Sequence, residues 1–158
     1  MINTLSAVLT LLPLPQSTDI LLEGQHQGDH QHGLMGMYEL MEGKEVHGRG
    51  VWQMGQEVFM YYSSNKEWMI SHRAAMEAGE ASGWMYVAST ALTPDQVTET
   101  WQVGDGTGWP DAPKVRARMY SAEEKRAAAE KLEQERQQAM AAARQVRDIR
   151  MLDISRPV

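Results

Sequence analysis

VFMYYSSNKEWMI, residues 58–70, consists of two runs of β-forming side chains joined by a polar connection, Ser63 to Glu67. Aromatic and β-branched residues suit a pleated surface, and a short polar insertion between two such runs is a hairpin signal. Successive side chains of a strand point to opposite faces, so Phe59 and Tyr61 share one face while Val58, Met60 and Tyr62 share the other. Neither face carries a charge. The strand should therefore be covered on both sides and lie centrally in a small barrel or sandwich.

The same pattern spreads in both directions. Ile20 to Leu22 reads as a strand, followed by the polar loop Gly24 to Gly33; Gly36 to Met41 alternates, and Gly48 to Gly50 leads into Val51 and Trp52. On the other side, Ser71 is placed to cap a helical turn within His72 to Glu80, and Trp84 to Ser89 returns to strand. Thr93-Pro94-Asp95-Gln96 suits one helical turn. Val97 to Val103 alternates as a strand, Gly104 to Gly108 breaks it, and Val115, Ala117 and Met119 alternate with Lys114, Arg116 and Arg118 as a closing strand with one charged face. Five tryptophans, Trp52, Trp68, Trp84, Trp101 and Trp109, recur at intervals of 16, 16, 17 and 8 residues. Each offers roughly 200 Å² for burial, enough together to anchor a small β-domain.

Beyond Tyr120 the character changes. Ser121 and Glu124 form a capping box ahead of an Ala/Glu/Arg/Gln-rich stretch with no Gly or Pro until Pro157. A helix over residues 121–150 would be about 45 Å long. Ala128, Leu132, Ala139, Ala142, Val146 and Ile149 keep near-heptad spacing that Glu135 interrupts, and Met151, Leu152 and Ile154 continue the apolar character. This stripe is too thin for a homodimeric coiled coil. Two readings remain: a helix docking on a partner through Leu132, Ala139, Ala142, Val146, Ile149 and Leu152, or a solvated helix held by its own charge pairs.

The expected organisation is an apolar arm over residues 1–17, a tryptophan-rich β-domain over 18–120, and a helix with its tail over 121–158. The fold class is mainly β, a small antiparallel barrel or sandwich followed by a long C-terminal α-helix. In the arm, Leu5 to Leu14 is apolar, but no Lys or Arg occurs in the first 43 residues to precede it as in a secretory signal. It is also too short to span a bilayer. An arm packing on an apolar surface, a targeting remnant and an interfacial membrane contact all fit.

Composition excludes several functions. A net charge of −6 and a pI near 5.3 disfavour sequence-independent nucleic-acid binding, which requires clustered positive charge. The absence of cysteine removes disulfides, thiol nucleophiles and cysteine zinc sites. Twelve methionines against one phenylalanine suit irregular gaps and adaptable contact surfaces, and a compositional bias of the source genome explains the ratio at least as well.

Few residues suggest chemistry. His26, Asp29, His30 and His32 fall within seven residues, and imidazoles two apart on an extended segment can reach one metal; a solvated polar loop is the plainer explanation. Tyr62, Trp68 and Trp84 could form an aromatic surface for a sugar, with core packing as the alternative. Asp105 in GDGTG lacks the further ligands of a calcium or phosphate loop and fits a turn. Glu23, Glu39, Glu42 and Asp111 offer carboxylates without a spacing that selects a catalytic pair. No acid, base and nucleophile constellation emerges, so neither an enzyme nor a cofactor is expected.

The order Gly36-x-Tyr38, Gly48-Arg49-x-x-Trp52, Tyr61-Tyr62, Trp68-x-Ile70, Gly83-Trp84, Thr93-Pro94 and Trp101-x-Val103 resembles short aromatic-rich β-repeats in uncharacterised proteins of dinoflagellates and other protists. The resemblance covers about residues 20–119 and consists of core aromatics and turn glycines, so it implies no catalytic residue. It implies an accessory subunit of an organellar assembly, with a thylakoid photosystem as the most specific version. The expected function is thus a non-enzymatic structural subunit docking on protein partners through its arm and helix. Peripheral association with a membrane complex is compatible with this, nucleic acid and homo-oligomer are not expected, and a thylakoid-associated or a cytoplasmic location would fit. The alternative is a β-module binding carbohydrate or metal.

Overall fold

The computed structural model describes residues 18–154; the apolar arm expected over residues 1–17 lies outside them. The chain divides into two compact units between Tyr120 and Ser121. In the first, the elements are β1 (Ile20–Glu23), β2 (Gly36–Val46), β3 (Arg49–Met54), β4 (Val58–Tyr62), β5 (Glu67–Ser71), α1 (Arg73–Ala78), β6 (Met85–Ala88), β7 (Trp101–Val103), β8 (Asp111–Ala112) and β9 (Arg116–Met119). Three-residue 3-10 turns lie at His32–Leu34 and Pro94–Gln96. The second unit contains α2 (Ala122–Ile154).

Among the described residues, nine strands form one antiparallel sheet in the order β8-β7-β6-β5-β4-β3-β2-β1-β9. The meander is broken once, where β9 returns to pair with β1, Ile20 opposite Met119 and Glu23 opposite Arg116. Edge strands β8 and β9 are separated in sequence only by Pro113 to Val115, so Ala112 and Arg116 can be at most about 14 Å apart. Nine strands laid flat would put those edges about 38 Å apart. The sheet therefore curls into a half-barrel, and a tight turn in which Val115 N–H donates to Ala112 O at 3.0 Å links its edges.

The core follows from this curl. One cluster of buried side chains takes members from all nine strands, including Ile20, Tyr38, Trp52, Met60, Trp68, Val87, Trp101, Ala112 and Ala117. A second lies on the opposite face, where Val51, Phe59, Tyr61 and Met69 are covered by Ala75 and Met76 of α1. β4 is the middle strand and feeds both clusters, Met60 and Tyr62 into the first, Phe59 and Tyr61 into the second. The 58–70 stretch is thus a hairpin at the centre of the sheet, with Tyr62 opposite Trp68.

Local chemistry sets the turns. His47 and Gly48 both take positive φ, 49° and 75°, the combination of a two-residue type I′ hairpin between β2 and β3. Between Leu40–Trp52 and Glu45–Gly50 the register shifts, so that Met41 to Lys44 face Val51 alone and β2 bulges. Helix α1 is capped by His72, whose Nδ1 accepts from Ala75 N–H at 3.3 Å, and not by Ser71. Ser71 is the last residue of β5, paired with Phe59 and buried, which keeps it in the ladder. The strand expected over 97–103 shortens to β7, because Val97 N–H closes the Pro94–Gln96 turn onto Pro94 O.

Helix α2 opens on the expected capping box. Glu124 N–H donates to Ser121 Oγ at 3.1 Å, and Ser121 N–H donates to Glu124 Oε2 at 2.9 Å. It runs for 33 residues, four past the expected end at Arg150. No described helix is long and apolar enough to cross a membrane.

Candidate functional site

One concavity of the β-unit lies beside β6 and β7, where two tryptophans flank a glycine-rich floor. Trp84 is fixed as an extension of the sheet: its N–H donates to Ile70 O at 2.9 Å and its carbonyl accepts from Gly104 N–H at 2.8 Å. Gly83 must be glycine here, since a Cβ would come within 2.4 Å of Ile70 O. Trp109 projects from the loop after β7 and is 44% exposed. Its ring meets the edge of Tyr86 at 5.1 Å and passes so close to Gly104 that a Cβ there would lie 3.2 Å from the indole. His72 meets Trp84 in the same edge-on manner at 6.1 Å. The cleft has a volume of about 480 Å³ and is lined by Gln31, Gly83, Trp84, Gly104, Thr107 and Trp109, with glycines 106 and 108.

Asp105 builds the rim of this cleft. Its Oδ1 accepts from Thr107 N–H at 2.8 Å, Thr107 Oγ1 at 2.9 Å and Gly108 N–H at 2.7 Å, closing a turn. These bonds, Thr107 N–H foremost, hold the carboxyl below its usual range, with a smaller contribution from His30. A carboxylate engaged in this way serves its own loop.

The histidine loop packs on the same end of the sheet. Asp29 accepts from His26 N–H at 2.8 Å, His32 Nδ1 lies 3.3 Å from Asp29 O, and Gln25 donates to His30 O. Gln31, in a left-handed conformation at φ 58°, reaches across to Gly104 O at 3.3 Å. Among the described residues no group of three or more His, Asp or Glu side chains could hold a metal, so His26, Asp29, His30 and His32 do not converge as ligands. Their bonds run within the loop, which accounts for the motif as a self-capped turn. An adjacent depression of about 340 Å³ carries Asp29 and His30 opposite Asp111 and Lys114.

The expected aromatic surface is corrected. Trp68 is fully buried and Tyr62 nearly so, and only Trp84 of that set reaches the surface. Arg49 lies over the Tyr62 ring at 3.6 Å and donates to the carbonyls of Thr90 and Ala91. Tyr62 Oη donates to Ser89 O and Trp68 Nε1 to Ala91 O, so the segment 89–91 closes over both rings. Trp109 takes their place beside Trp84. A sequence signal existed: Trp109 stands among Gly104, Gly106, Gly108 and Pro110, outside any strand alternation.

The remaining carboxylates divide. Glu23 pairs with Arg116 and Arg118 at 3.4 and 3.5 Å across β1 and β9, and Asp111 accepts from Gln102 at 3.1 Å. Glu39 and Glu42 line an open depression of about 600 Å³ with Met37, Met41 and Gln53 on the β2 bulge. Burial pushes the Tyr61 phenol up to about 12 and that of Tyr38 higher still. Tyr61 Oη donates to Glu80 O and Tyr38 Oη to Leu34 O, so both act as structural donors.

On α2, the side chains expected to dock, Leu132, Ala139, Ala142, Val146, Ile149 and Leu152, are all exposed. With Met140, Met151 and Ile154, the large apolar members are between 52% and 84% exposed. Glu133 is occupied within the helix by Arg136 at 2.7 Å and Gln137 at 3.1 Å. No protein-family model matches the chain, and no curated protein or solved structure is significantly similar to it.

Proposed function

We propose that the chain is a non-enzymatic assembly protein whose helix α2 docks on a partner protein. The observation that carries this reading is the run of seven large apolar side chains more than half exposed along 33 helical residues. Exposed apolar surface on this scale costs free energy in water and is retained where something covers it. Around Leu132, Ala139, Ala142, Ala143 and Val146 the row is narrow and alanine-rich, which suits a partner helix or shallow groove at close approach. At the end of the helix the geometry changes. Ile149, Met151, Leu152 and Ile154, at 100° per residue, point to different sides between Asp148, Arg150 and Asp153, so a partner there would meet apolar side chains on more than one face.

Charge supports a protein partner. Ala122–Ile154 carries seven acidic and seven basic side chains, so the helix presents no electrostatic field for a nucleic acid. The β-unit serves in this reading as the rigid body that α2 attaches to the assembly. The narrower version, an accessory subunit of an organellar complex such as a thylakoid photosystem, is supported by the repeat resemblance alone.

Leu132→Glu combined with Val146→Glu should separate docking from folding. Both side chains are exposed, so the denaturation midpoint and helical circular dichroism should match the parent to within about 0.5 kcal/mol. Binding to the purified partner should weaken by at least about 100-fold, as expected for placing charge at two interface anchors. Full retention of the double variant in the native complex rejects the proposal.

A further inference from the structure

The Trp84–Trp109 cleft has features that helix docking does not use and that the packing of Trp84 against the first core cluster does not exhaust. Trp52 and Trp68 satisfy their indole N–H groups on the carbonyls of Thr18 and Ala91. Trp84 and Trp109 make no hydrogen bond through their indole N–H among the described residues, and both rings reach the surface. They are nonetheless held in place by Tyr86, His72, the Trp84 backbone bonds and the two close-packed glycines, Gly83 and Gly104. Rings ordered before binding spare a ligand the entropic cost of ordering them.

The lining selects the ligand class. No charged side chain lines the cleft, and the Asp105 carboxylate at its rim is engaged by Thr107 and Gly108. A phosphate would find no cation, and a quaternary ammonium, though it could sit on the indoles, would leave the Gln31 amide, the Thr107 hydroxyl and the glycine backbone without partners. What the cleft offers is two indole rings, two indole donors, the Gln31 amide, the Thr107 hydroxyl and exposed glycine backbone. That set matches a ligand with apolar C–H faces and a periphery of neutral hydroxyls. The volume of about 480 Å³ falls within the roughly 300–1,000 Å³ of small-ligand sites. We propose that this cleft binds a neutral oligosaccharide, its ring faces stacking on Trp84 and Trp109 and its hydroxyls meeting Gln31, Thr107 and the glycine backbone. The site lies wholly within the β-unit and stands or falls separately from the docking of α2.

The test is a titration of the full ¹⁵N-labelled chain with cellotetraose, maltotetraose and chitotetraose, and with choline as a cationic probe, reading the five indole N–H resonances. At least one tetrasaccharide should shift the Trp84 and Trp109 signals saturably and leave those of Trp52 and Trp68 in place. Trp109→Ala should weaken that binding about tenfold or more, with Trp109→Tyr restoring most of it and the Trp52 and Trp68 resonances showing that both variants keep the folded core. Absence of a saturable shift with all three sugars overturns the proposal, as does a response to choline alone or sugar binding indifferent to Trp109→Ala.

Discussion

Replacing Gly24 with alanine should destabilise the β-unit by roughly 3 kcal/mol or more, read as a fall in the urea midpoint at unchanged slope. Gly24 follows β1 at φ +122°, a conformation reserved in practice for glycine. A Cβ there would lie 2.1 Å from Lys114 O and 2.6 Å from Val115 Cα. These are backbone atoms in the turn linking β8 to β9, so no side chain can swing aside. The chain would have to separate where the curled sheet brings its edges together, taking the β1–β9 pairing with it. Gly28→Ala is the control: its φ is +99° but a Cβ would meet nothing within 4 Å, so only the conformational cost of about 1 kcal/mol should appear. Equal effects at the two positions would show that the close approach at Gly24 contributes nothing.

Trp68→Ala should cost a similar amount, about 3–5 kcal/mol, for a different reason. Trp68 is fully buried and makes edge-on contacts with Trp52 at 5.8 Å and Tyr62 at 5.4 Å. Truncation leaves a cavity in the cluster to which every strand contributes, and it removes one of the two hydrogen bonds that Ala91 O accepts, that from Trp68 Nε1 at 3.0 Å, leaving the one from Arg49 Nε at 3.1 Å. Trp68→Phe should recover part of the packing but not the hydrogen bond, and so fall between the parent and Trp68→Ala in the same denaturation experiment. A loss for Trp68→Ala as small as that for Trp109→Ala would contradict the placement of Trp68 at the centre of the core.

The parts of this fold that the sequence reveals are those governed by neighbours along the chain. The two covered faces of Val58–Tyr62, the polar connection at Ser63 and the capping box at Ser121 each depend on residues within about a turn or a hairpin of one another, and each is found where expected. What stays hidden depends on distant partners. The pairing of β1 with β9 joins residues almost a hundred apart, and the Glu23 contacts to Arg116 and Arg118 become meaningful only after it forms. Tyr62 and Trp68 look available as a surface until Arg49 and the segment 89–91 close over them. Trp109 shows the converse, an aromatic that reads as one more core anchor yet lies open because glycines shape its surroundings. The cap of α1 moved by one residue for a simple reason: Ser71 could not leave the β5 ladder, and His72 was next in line.

The central claim, that α2 attaches this β-unit to a larger assembly, is tested most directly by the mass of the native particle that contains the chain, measured by sedimentation in gentle extracts of its source. The account predicts a particle heavier than two copies of the chain, holding it in fixed ratio to at least one other protein. A particle at the 17.8 kDa of a single chain, or at the mass of two copies, would contradict it.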